Sequence, residues 1–241
     1  MSITYDGDLS PDYLRWFDKI MDMMGYSIKE KQDFIKNRQE LDKLQKEILL
    51  EKDVAFAYFF ASEFRYQTHL MQKLILDKKN AKYAFFFALH IENADIKALQ
   101  SVVAESKKAE YITKFACFVK NADRRYLERF IKNAKYATMY LKHAKDADPN
   151  KFKDIILRSG KPSYLFELAK RLTSPEEISQ IEDLIIQSNS FTYMRLFAEK
   201  VKGANVEKIE QAVLASNNGL EIKKFAKYVK KSSMKRFLLM V

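Results

Sequence analysis

Along most of the chain, apolar positions recur on two length scales, within a helical turn and within a larger unit. An eight-residue string returns with Tyr at its third place, an aromatic or Leu at its seventh and a small or apolar residue at its eighth. It spans Ala81 to Ala88, Ala109 to Ala116, Ala134 to Leu141, Pro162 to Ala169, Phe191 to Ala198 and, without the Tyr, Gly219 to Ala226. A degenerate earlier copy ends at Phe60 and Ala61. The eighth places fall at 61, 88, 116, 141, 169, 198 and 226, separated by 27, 28, 25, 28, 29 and 28 residues. Such near-constant spacing is the signature of a repeat architecture.

Each unit is predicted to hold two helices. In the third copy the apolar positions Ala109, Ile112, Ala116 and Val119 are spaced by 3, 4 and 3 residues, which places them on one helical face. The small residue allows close approach of a neighbouring helix, and the aromatic beside it fills space. Polar turns follow at Asn93-Ala94-Asp95, Asn121-Ala122-Asp123, Asp146-Ala147-Asp148 and Gly203-Ala204-Asn205. Their last Asp or Asn is placed to cap a second helix. Ser174-Pro175-Glu176-Glu177 fills the same role, with Pro at the first helical position and acids at the positive helix end. Second helices carry apolar pairs such as Leu127/Ile131 and Ile209/Val213 and finish at Ser106, Asn133, Ser159, Ser188 and Ser216. Helices of roughly 10–12 residues are marginal alone in water, so their stability must come from packing on neighbouring hairpins.

The expectation is an all-α fold: a right-handed α-solenoid of about seven antiparallel hairpins over residues 51–241. Its units fall near 53–80, 81–108, 109–133, 134–161, 162–190, 191–218 and 219–241. The pattern resembles tetratricopeptide-type and HEAT-type repeats in architecture, although the unit is shorter and lacks the tetratricopeptide Trp-Leu-Gly signature. It is also similar to 28-residue helical repeats of uncharacterised bacteriophage and bacterial proteins, a resemblance that implies a helical array and no particular activity.

Residues 1–50 do not follow the repeat. Ser10-Pro11-Asp12 is predicted to open a helix ending at Gly25, and Ser27 to Glu30 forms a capping box for a longer helix through Phe34, Leu41, Leu44 and Ile48. The helices through Phe56–Ala61 and Phe85–Leu89 are apolar nearly all round, so these N-terminal helices are expected to cover them as a cap; an exposed aromatic patch is the other reading. At the far end, Phe237, Leu238, Leu239 and Met240 either fold back on the array or mediate self-association.

Bulk properties narrow the function classes. No run approaches the ~18 apolar residues of a membrane span, and the acidic N-terminus lacks the apolar core of a signal peptide. A single cysteine, Cys117, excludes an internal disulfide framework and suits a reducing, cytoplasmic location. His90 and His143 hold equivalent unit positions two repeats apart, too distant to share a metal. No metal-ligand spacing, glycine-rich phosphate loop or nucleophile elbow is present. Cys117 reads as a structural thiol, and Glu176/Glu177 and Glu182/Asp183 as a helix start and a solvated face. Trp16, the only tryptophan, lies in the cap, away from any surface suited to base chemistry. No catalysis, cofactor or metal is expected.

The net charge of +11 is concentrated: residues 109–161 hold 13 Lys/Arg against 6 Asp/Glu, and residues 219–241 hold 7 against 1. Equivalent positions of stacked repeats line up along one surface. The two places after the anchor read Lys142/His143, Lys170/Arg171, Glu199/Lys200 and Lys227/Tyr228 in the later repeats. A second group is Arg124, Arg125, Arg129 and Lys132, three of which share one helical face by their spacing, with Lys135 just after. A third runs from Lys223 to Arg236. These cations are expected to dock a protein with an acidic surface. Sequence-nonspecific DNA or RNA binding through the same residues, or a merely solvated lysine surface, are the other readings.

Overall fold

The computed structural model describes residues 38–230 and 232–233. The proposed helices over residues 10–24 and 27–37, Trp16, Lys231, Lys235, Arg236 and the apolar Phe237–Met240 lie outside the described residues. Among the described residues there are fourteen α-helices, one 3-10 turn and no strand, so the chain is all-α. In order they are α1 (Arg38–Glu51), α2 (Val54–Phe64), α3 (Thr68–Asp77), α4 (Ala81–His90), α5 (Ile96–Glu105), α6 (Ala109–Phe118) and α7 (Arg124–Glu128). There follow α8 (Ala134–His143), the 3-10 turn (Pro149–Lys151), α9 (Lys153–Ser159), α10 (Pro162–Ala169), α11 (Pro175–Gln187), α12 (Phe191–Lys200), α13 (Val206–Ala215) and α14 (Gly219–Tyr228).

The repeat string marks real helix starts: α4, α6, α8, α10, α12 and α14 each begin on its first residue. Its seventh residues, Phe60, Phe87, Phe115, Tyr140, Leu168, Phe197 and Phe225, are at most 1% exposed. The small or apolar residues that follow, Ala61, Ala88, Ala116, Leu141, Ala169, Ala198 and Ala226, are buried as well. Each buried ring or Leu contributes about 1.5–3 kcal/mol, which offsets the cost of ordering a short helix.

Caps fix where the helices begin. Asp95, Asp123, Asp148, Ser174 and Asn205 each accept a hydrogen bond from a backbone N–H at the start of the second helix or turn, at 2.9–3.4 Å. The first hairpin departs from this, because Gln67 makes no side-chain cap bond before α3. Four second helices end on a common serine joint. Ser106, Ser159, Ser188 and Ser216 each donate to the carbonyl three residues back, at 2.6–2.7 Å. Each hydroxyl oxygen also accepts the N–H two residues on, at 3.1–3.3 Å. The residue between adopts a left-handed conformation: Lys107 (φ 55°), Gly160 (61°), Asn189 (52°) and Asn217 (53°).

The described chain divides into two compact units, residues 38–111 with 118–122 and residues 112–117 with 123–233, so α6 contributes to both. In the first unit α1 packs on α2 and buries Leu41, Leu44 and Ile48. There α2 packs on α3 and α4, and α5 on α3 and α4. In the second unit α8, α10, α12 and α14 pack each on the next, and every one of α8, α10 and α12 also packs on the second helix that follows it. Neighbour-to-neighbour packing of this kind is what a repeat array requires.

Two local expectations are corrected. The second helix of the third repeat is only five residues long: α7 stops at Glu128, and Ile131, although 3% exposed, lies beyond it in a turn. The bonds Phe130 N–H to Leu127 O and Ile131 N–H to Glu128 O span three residues, which is turn rather than α-helical geometry. This is the repeat shortened to 25 residues, and the loss is taken from its second helix. Secondly, Glu182 is not part of a solvated face; it is 1% exposed.

Candidate functional site

All ten residues singled out for partner binding fall in the second unit. Lys142 and His143 close α8, Lys170 caps α10, Lys200 closes α12, and Lys227 lies in the last turn of α14. Because these helices pack successively, the four lysines stand at the carbonyl ends of neighbouring helices whose axes are about 8–10 Å apart. A cation is favoured there locally, since the helix end carries partial negative charge. All four are exposed. Lys170 pairs with Glu167 at 3.0 Å and lies over the Phe166 ring, and Lys227 lies over Tyr228. Lys142 and Lys200 have no ion-pair partner among the described residues. His143 adds no charge at neutral pH: burial, then Lys142, lowers its pKa against the opposing pull of Glu167.

Arg124 and Arg171 serve another purpose. Arg171 donates to three main-chain oxygens, Leu141 O at 3.0 Å, Lys145 O at 2.5 Å and Ala147 O at 3.2 Å. It thereby satisfies a free carbonyl at the end of α8 and fastens the turn after it. Arg124 likewise donates to Ala116 O at 3.1 Å and to Asp146 at 2.8 Å. These two guanidinium groups tie one repeat to the next and are not free for a partner.

Arg125, Arg129 and Lys132 do come together, though not as the helical spacing implied. Only Arg125 lies within α7; Arg129 is its C-cap, and Lys132 follows in the turn. They line one side of a groove of about 600 Å³, whose other side is formed by Lys151, Asp154 and Arg158 from the 3-10 turn and α9. Ile131, Phe152 and Ile155 supply an apolar floor. Glu128 is already engaged, accepting from Tyr140 Oη at 2.9 Å and from Lys151 Nζ at 2.5 Å. That carboxylate and burial together hold the Tyr140 hydroxyl protonated far above neutrality, burial being the larger cause. Arg129 lies over the Tyr126 ring, and Arg158 Nε donates to the Asp154 carbonyl. Arg125, Arg129, Lys132 and Arg158 make no ion pair among the described residues.

Sequence reasoning missed Lys151 and Arg158. The available signal was the end of the second helices: aligned on Asn133 and Ser159, Lys132 and Arg158 hold the same place. Counted from the first helix the two fall out of step, Lys132 at the 24th place of its unit and Arg158 at the 25th.

Burial pushes the Cys117 thiol up to about 12, against the smaller opposing effect of Arg124, which leaves almost no thiolate to attack. Among the described residues no three metal-ligating side chains converge, and no helix is long and apolar enough to cross a membrane. In the first unit, Tyr58 Oη and His90 Nδ1 share a hydrogen bond of 2.7 Å, and burial raises the Tyr58 pKa to about 12, so the hydroxyl keeps its proton. Comparison with known proteins yields no matching family model, no similar curated protein and no similar solved structure.

Proposed function

We propose that this protein is a non-enzymatic binding scaffold whose hairpins continue as one right-handed α-solenoid, and that an acidic protein surface docks on the lysines of its later repeats. The observation that carries this is the alignment of Lys142, Lys170, Lys200 and Lys227 at the ends of successively packed helices. Unpaired Lys142 and Lys200 gain most from an incoming carboxylate, and steering by such a field speeds encounter. A protein partner fits better than a single-stranded nucleic acid. Base stacking needs open aromatic faces among the cations, whereas Phe166, beneath Lys170, is buried, and Tyr228 has Arg195 and Lys227 against its ring.

The test is affinity capture from the native cell with the wild-type chain and with Lys142→Glu/Lys170→Glu/Lys200→Glu/Lys227→Glu. An acidic protein held by the wild type, resistant to nuclease and lost with the variant, supports the reading. Capture that nuclease abolishes would assign the surface to nucleic acid. Capture that is unchanged in the variant would remove these lysines from the site.

A further inference from the structure

The groove between α7 and α9 is a separate feature, on the second-helix side of the hairpins and opened where the third repeat is short. Five cationic side chains line it against two carboxylates, and one of those carboxylates, Glu128, is matched by Lys151. The four remaining cations repel one another across a shared hollow, an arrangement that an anionic occupant relieves. Three of the four are arginines, whose planar forks take carboxylates in two-point contacts. The floor is aliphatic and aromatic, and the hollow of about 600 Å³ is of the size that holds a few side chains.

We propose that this groove binds an extended acidic segment of a protein partner: several Asp or Glu side chains on Arg125, Arg129, Lys132 and Arg158, flanking one apolar side chain seated on Ile131, Phe152 and Ile155. Charge complementarity selects the acids, and the apolar side chains of the lining select the apolar residue between them. An inorganic or nucleotide polyphosphate matches the cations but leaves the floor unused. The proposal rests on the scaffold reading and identifies the kind of segment a partner would present.

The experiment is fluorescence anisotropy with a labelled synthetic peptide, Asp-Glu-Asp-Leu-Glu-Asp, and the full chain. Saturable binding is expected, weakened about tenfold or more by Arg125→Gln/Arg158→Gln. Replacing the peptide's Leu by Ser is expected to weaken it about fivefold or more, the worth of one aliphatic side chain. Neutralising two exposed lysines elsewhere, Lys97→Gln/Lys107→Gln, makes the same change in net charge and controls for it, and circular dichroism confirms that each variant is folded. Absence of saturable binding overturns the proposal. So does equal weakening by the Lys97/Lys107 variant, equal affinity for the Ser peptide, or competition by tripolyphosphate that is stronger than by the unlabelled peptide. The outcomes separate from those of the capture experiment: a partner lost with the four-lysine variant while the peptide fails to bind sinks this groove alone, whereas peptide binding without any captured protein sinks the lysine surface alone.

Discussion

Glu182 shows how a single polar residue is used inside a hairpin array. Its Oε2 accepts from the Asn205 N–H at 2.8 Å, 23 residues later, and Lys208 stands 3.7 Å from its Oε1. Gln72 accepts from the Asp95 N–H, and Glu210 from the Ser233 N–H, across the same separation of 23 residues. For Gln72 and Glu182, one side chain of a second helix thus satisfies the N–H of the residue that caps the next second helix. In Glu182, burial outweighs the backbone N–H and Lys208 and raises the pKa. A raised folded-state pKa favours folding below the unfolded value, and that gain is lost as pH climbs through the raised one. Glu182→Gln keeps the acceptor and removes the charge. The melting-temperature difference, variant minus wild type, should therefore be more positive near pH ~7.5 than near pH ~4 by calorimetry, and an equal difference at both would show that ionised Glu182 costs nothing.

Individual helices here are short, and their ends decide their stability. The starts of α4, α8 and α14 were legible from the first residue of the repeat string, whereas the caps that precede them, Asn80, Asn133 and Asn218, emerge only from the structure. The buried aromatic and small pair was legible because its spacing is constant and its chemistry unambiguous. What could not be read was which element absorbs a deletion: the spacing of 25 shows three residues missing, yet only the coordinates place the loss in α7. Nor could Arg171 be separated from Lys170, since both are cations at a helix end and differ only in what lies within reach. Arg171→Ala should destabilise the chain by about 2 kcal/mol through three orphaned carbonyl contacts. Arg171→Lys, lacking the fork, should recover less than about half of that. Thermal denaturation reads both values, and a loss no larger than that of Lys170→Ala would show the clamp to be slack.

Across each unit, a hairpin is held by those on either side of it, and opening should spread accordingly. Phe197 is fully buried, and its own α12 packs on α10, α11, α13 and α14. Phe197→Ala is expected to cost about 3–5 kcal/mol. Hydrogen exchange should then accelerate from α10 through α14 while Ile96–Glu105, in the other unit, stays within about twofold of wild type. Uniform acceleration over the whole chain would instead indicate a single cooperative body. Function was less legible at this scale than architecture. The charge blocks pointed to the second unit, but seven of the ten marked residues were separated from Arg124, Arg171 and neutral His143 only by the geometry.

The serine joint has a consequence for how such a chain can change length. The hydroxyls of Ser106, Ser159, Ser188 and Ser216 are bonded to atoms within three residues of themselves, so the seam they form is local. A whole hairpin, residues 162–190 for example, could be copied in tandem and would meet the same hinge at both junctions. Natural variants are then expected to differ by whole hairpins, with the spacing between successive buried rings preserved. A sequence growing in that way lengthens its row of hairpins without having to invent a new core.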